Sequence, residues 1–81
     1  MRVTVRLFAR LRDITGTGEL TRELPAGATA ALLWDTLAKD YADLDSYREA
    51  VSTAVNAEYS KMSHPLADGD EVAFLPPVSG G

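Results

Sequence analysis

The chain contains no cysteine, which excludes disulfides, thiolate metal sites and a catalytic thiol. Its one histidine, His64, stands in no clustered spacing of ligand-type residues, so a protein-bound metal is not expected. Long apolar runs are missing as well, and no segment approaches the roughly 18 consecutive apolar residues of a membrane span. Met1-Arg2-Val3 runs straight into a strand pattern instead of a signal sequence, so the expectation is a cytoplasmic protein with no membrane partner. Positive charge is scarce too. A formal net charge of -4 argues against nucleic acid, which recruits basic faces.

What is present suits one small folded domain. Eighty-one residues, 46% hydrophobic and 25% charged, match an ordinary globular composition and are enough to bury a core without covalent staples. The basic residues are unevenly placed, with Arg2, Arg6, Arg10 and Arg12 carrying half of all Lys and Arg within the first twelve positions.

Residues 2 to 9 alternate, with Val3, Val5, Leu7 and Ala9 on one face and Arg2, Thr4, Arg6 and Phe8 on the other. This spacing predicts a half-buried strand with its valine side inward. Phe8 then stands exposed among Arg2, Arg6 and Arg10. Single exposed apolar residues are ordinary. Aromatic and arginine side chains together are also the types enriched where partners dock.

Leu11 to Gly18 reads as a loop, since Gly16 and Gly18 break any period. Glu19 to Leu24 predicts a second strand that pairs with the first as an antiparallel hairpin. Arg22 between Leu20 and Leu24 suggests that this strand lies at an edge. After the Pro25-Ala26-Gly27-Ala28 turn, Thr29 fits an N-cap, and a helix runs from Ala30 to Tyr41 with Ala30, Leu33, Leu37 and Tyr41 on one stripe. Ala28 and Leu33 occupy the two positions of a hydrophobic staple. Trp34 borders that stripe, which favours packing on the sheet over ligand stacking.

Leu44, Tyr47 and Val51 predict a short helical turn around residues 45 to 50, and Thr53 to Tyr59 predicts a third strand with Val55 at its centre and Asn56-Ala57-Glu58 bending toward a turn. His64 precedes a proline, which restricts it to extended geometry, so it is read as shaping a loop and not as a general base. Glu71 to Leu75 is the last strand, with Val72 and Phe74 inward and Leu75 outward. If the first and last strands are neighbours, Phe8 and Leu75 join into one apolar patch rimmed by arginines.

The ending is the most informative stretch. Pro76-Pro77 removes two backbone donors and stops the sheet, so a tail of residues 76–81 leaves a domain of residues 1–75. Beyond the prolines, Val78, Ser79, Gly80 and Gly81 form a thin tip with no side chain on its last two residues. A frayed terminus would look similar. The order of strand, stiffener and flexible tip suits a peptide threaded into a partner's narrow site.

The order strand, strand, helix, short helix, strand, strand describes an α+β ubiquitin-like β-grasp, with a mixed sheet of four to five strands packed on one main helix. The runs Leu7-Phe8-Ala9-Arg10-Leu11-Arg12, Val55-Asn56-Ala57-Glu58-Tyr59, His64-Pro65-Leu66 and Asp68 to Gly81 resemble the small, sulfur-carrying subunits of molybdopterin synthase. The chain departs from that family in having Arg22 at an apolar strand position and Leu75 where an aromatic often stands. The resemblance implies that the Gly81 carboxylate is adenylated by a ubiquitin-activating-like adenylyltransferase that consumes ATP. It is then converted to a thiocarboxylate that gives its sulfur to cyclic pyranopterin monophosphate. It further implies a large subunit holding the acid and base groups, in a heterotetramer, and no cofactor bound by this chain. On that reading Pro76, Pro77, Val78 and Ser79 thread the tail, Gly80 and Gly81 enter the narrow site, and Phe8, Leu75, Arg6 and Arg10 face the large subunit. A sulfur carrier for thiazole formation, a protein modifier joined to lysines, and a plain interaction domain are the alternatives.

Overall fold

A computed structural model describes residues 1–77, leaving Val78, Ser79, Gly80 and Gly81 outside the described residues. Five strands form one sheet in the order β2-β1-β5-β3-β4. Strand β1 (Arg2–Leu7) buries Val3, Val5 and Leu7 in strict alternation, the pattern of a strand with one face on the core. It pairs antiparallel with β2 (Glu19–Glu23) and parallel with β5 (Glu71–Leu75), where Thr4 stands opposite Glu71 and Leu7 opposite Phe74. Strand β3 (Ser52–Val55) pairs antiparallel with β5, and β4 (Glu58–Ser60) completes the sheet antiparallel to β3. The arrangement is a mixed, five-stranded β-grasp.

Helix α2 (Ala30–Asp40) crosses one face of the sheet. It starts where Thr29 accepts the Leu32 N–H on its hydroxyl at 3.3 Å, as an N-cap requires. Two further N–H groups of the first turn, which have no partner inside the helix, donate to the carbonyls of His64 (from Ala30, 3.1 Å) and Met62 (from Ala31, 2.8 Å). The His64-Pro65 segment therefore closes the helix start, while the His64 side chain stays exposed. Leu33, Trp34 and Leu37 are buried against Val3, Val5, Val72 and Phe74 in one core, and Ala30 is buried at the helix start. Leu24, the residue after edge strand β2, joins that core, and Arg22, on the same side as Leu20, reaches Asp40 at 2.8 Å at the end of α2.

Four expectations are corrected. The Leu11–Gly18 loop holds a short helix, α1 (Arg10–Thr15), capped by Gly16 in the left-handed conformation. Six residues are too few to show a period or to be stable alone, and it is burial of Leu11 that holds them helical. The first strand ends at Leu7 instead of continuing to residue 9, because Ala9 takes φ 52° and is exposed. Residues 53–59 are not one strand but a hairpin, turned by Asn56 (φ 51°) and Ala57 (φ 71°), the signs a type I′ turn needs. The short helical turn lies earlier than expected, as a 3-10 helix over Ala42–Tyr47 anchored by fully buried Leu44. Among the described residues, no helix is long and apolar enough to cross a membrane.

Candidate docking face and tail exit

The face of the sheet opposite α2 carries a continuous row of residues across all five strands. By register it runs Glu19, Arg6, Ala73, Ala54 and Tyr59. Two alanines in the middle leave a shallow trough, because a methyl group stands little above the backbone. Arg6 and Phe8 rise on one bank and Tyr59 on the other. Phe8 is 40% exposed and Tyr59 80%, so two of the three large apolar side chains exposed among the described residues lie here. Leu75, opposite Ser52 at the end of β5, is half-buried on the same face.

Arg6 holds this face in a defined arrangement. Its guanidinium carbon sits 5.9 Å from the centre of the Phe8 ring, within reach of a cation–π attraction. Its nitrogens also stand 3.6 Å from Glu19 and 3.8 Å from Glu71. Both pairs are solvent-exposed and long, so each contributes under about 1 kcal/mol. Beside them an open cleft of about 370 Å³ is lined by Arg6, Phe8, Ala9, Arg12 and Glu19 among others. Ala9 there has φ 52° and ψ -125°, a region ordinarily occupied by glycine.

Arg10 does not join this group. As the first residue of α1 it faces away, into a separate open cleft of about 530 Å³ with Ile14, Asp43, Asp45 and Tyr47. Arg12 takes the place on the Phe8 side that the sequence assigned to Arg10. The reason is the strand's early end: once Ala9 turns the chain into α1, positions 10 and 12 no longer follow strand alternation.

Tyr59 and the alanine trough were missed in the sequence. Tyr59 sat at the presumed end of a single strand. The sequence predicts a bend at Asn56-Ala57-Glu58 but not a returning strand; followed as a two-residue hairpin turn, it puts Tyr59 on the second arm, level with Ala54.

The parallel pairing decides where the tail leaves. Because β1 and β5 run the same way, the chain exits β5 at the end of the sheet where Phe8 stands. Pro76 is half-buried there and Pro77 exposed. The threading and reacting positions expected of Val78, Ser79, Gly80 and Gly81 lie outside the described residues.

At the other end of β5, Asp70 ties the sheet together. It accepts the Ala67 N–H at 2.8 Å and the Asn56 side-chain amide at 2.9 Å. These two bonds, the Ala67 one first, hold its carboxyl below the usual carboxylate range.

Comparison with known proteins agrees with this geometry. The ThiS family matches residues 5–81. The molybdopterin synthase sulfur carrier subunit of Arabidopsis thaliana is 39% identical over 79 residues, covering 98% of this chain and 82% of that one. SAMP1 from Haloferax volcanii superposes with a TM-score of 0.87 at 28% identity, over the whole of both chains. One chain of the complex of subunits 1 and 2 of the molybdopterin-converting factor from Helicobacter pylori does so with a TM-score of 0.69 at 26% identity, again over the whole of both. With a family match over nearly every residue and a relative of that identity along most of its length, the chain belongs to the ThiS family.

Proposed function

We propose that this chain is the sulfur-carrier subunit of a molybdopterin synthase. The observation that carries the reading is the parallel β1–β5 pairing, which sends the tail out beside an exposed apolar face. A carrier needs both at once: a surface that docks and a tip that reaches. Relatives named as molybdopterin synthase sulfur carrier subunits support the assignment, and a structural neighbour solved together with a second subunit supports a large-subunit partner.

The chemistry follows from the terminal carboxylate. A carboxylate is a poor electrophile, so its oxygen attacks the α-phosphorus of ATP on an adenylyltransferase, forming an acyl adenylate and releasing pyrophosphate. A sulfide equivalent then adds to the acyl carbon and AMP leaves, giving a thiocarboxylate at Gly81. That sulfur is nucleophilic at neutral pH and bonds to a carbon of cyclic pyranopterin monophosphate held by the large subunit, displacing an oxygen leaving group. Water then cleaves the acyl–sulfur bond, which leaves the sulfur on the pterin and returns Gly81 to a carboxylate. This chain binds no cofactor and contributes no acid or base. Gly80 and Gly81 admit the tip to a narrow site because they lack side chains. Pro76 and Pro77 lower the ordering cost of insertion. Two carriers and two large subunits form the complex, in the cytoplasm, where the ATP pool is.

Intact mass tests this reading. The protein is incubated with ATP, a sulfide source and a candidate adenylyltransferase. The expected result is a gain equal to one oxygen replaced by sulfur, absent when Gly81 is deleted. Covalent ladders on other proteins, without that gain, would instead point to a protein modifier.

A further inference from the structure

We infer that Asn56 is a positioning residue for docking, which locks the β3–β4 hairpin and its exposed Tyr59 onto the start of β5. The inference rests on the reading that the outer sheet face meets the large subunit.

Strand β4 is three residues long and lies at the sheet edge, so among the described residues β3 alone pairs with it. Nothing within β4 sets how far its outer end twists away from the sheet. The tip of the hairpin, however, is bound sideways by three hydrogen bonds, all from one residue. The Asn56 side-chain amide donates to Asp70 at 2.9 Å, its side-chain carbonyl accepts the Glu71 N–H at 3.0 Å, and its backbone N–H donates to the Glu71 carbonyl at 2.7 Å. Asp70 is held in turn by the Ala67 N–H, and the Asp70 carbonyl accepts from Thr4 on β1. Hairpin tip, β5 and β1 are thus joined in one chain of bonds. The two side chains that flank the alanine trough, Phe8 after β1 and Tyr59 on β4, therefore stand in a fixed relation.

A residue with φ 51° also suits asparagine for conformational reasons alone. Asn56→Gly separates the two roles, since glycine keeps that φ and loses both side-chain bonds. Binding to the purified large subunit of a molybdopterin synthase is measured by calorimetry for the parent, Asn56→Gly, Tyr59→Ala and the double variant. Asn56→Gly is expected to weaken binding about 5–10-fold, and the double variant to bind no more weakly than Tyr59→Ala. With thiocarboxylated chain in the synthase assay, Asn56→Gly raises KM for the carrier and leaves kcat unchanged, since the tail is untouched. Asp70→Ala, which removes the acceptor and leaves Asn56 in place, reproduces the pattern if the glycine variant does not fold. Parent-like binding by Asn56→Gly, or an equal loss in the Tyr59→Ala background, overturns the inference while the docking face stands. Parent-like binding by both Tyr59→Ala and Phe8→Asp overturns the docking face itself, and this inference with it.

Discussion

The ring of Trp34 meets that of Phe74 edge-on, with centroids 5.0 Å apart and planes at 69°. Both side chains are fully buried, one on the main helix and one on the strand that leads into the tail. An edge-to-face pair is worth about 0.5–1.5 kcal/mol beyond the area it buries. The pair therefore fastens α2 to the strand from which the tail departs. Either ring replaced by alanine should cost about 3–5 kcal/mol, read as a lower midpoint in urea. Trp34→Phe should cost clearly less than Trp34→Ala: both remove an indole Nε1 that is buried with no hydrogen-bond partner among the described residues, but phenylalanine keeps most of the ring's buried volume and leaves a smaller cavity. Equal losses for the two substitutions would contradict this account.

The outer face gives a second prediction. Phe8→Asp and Tyr59→Ala should each weaken binding to the large subunit by about 1–2 kcal/mol or more, with thermal unfolding close to the parent's. Exposed side chains contribute little to the fold, so the losses should appear in affinity alone. Arg10→Ala, whose side chain lies in the other cleft, should bind as the parent does.

Acid should act through Asp70. Its carboxyl is held below the ordinary value by the Ala67 N–H and the Asn56 amide, so folding stabilises the charged form. The contribution is fully present above the unfolded carboxylate value of about 3.9 and is lost as pH falls through the lower folded value. Asp70→Asn should therefore be less stable than the parent at pH 7, and the gap should close below about pH 4. Urea midpoints of the two proteins across that range check it; a constant gap would show that the carboxylate charge is not the source.

Backbone strain at the hairpin tip leads to a fourth. Ala57 has φ 71°, a conformation in which its Cβ is crowded. Ala57→Gly removes that cost, and after the greater freedom of glycine when unfolded is subtracted, a net gain of about 0.5–1 kcal/mol is expected. A raised melting temperature checks it. The hairpin signal Asn-Gly would then be complete.

Much of the fold was legible because its signals are local. Alternation in residues 2–7, the Thr29 cap and the apolar stripe of α2 each depend on neighbours a few positions away. The elements misread were those whose shape is imposed from elsewhere. Helix α1 exists because Leu11 is buried by distant residues, and the β3–β4 turn has alanine where glycine would have announced it. At the candidate site, Phe8, Arg6 and Leu75 were found from patterning, whereas Tyr59, Ala54 and Ala73 become neighbours only through register.

By itself the sequence determined the parts: a core of alternating and helical stripes, a chain without thiols, and an ending of two prolines and two glycines. Tertiary structure alone decided which of them meet. The backbone N–H of Arg2 donates to Asp68, 66 positions away, and from that point β1 and β5 run side by side to Phe8 and Leu75. Parallel neighbours cannot be joined by a short turn, so no local signal marks such a pair, and its register is set by the core that both strands cover.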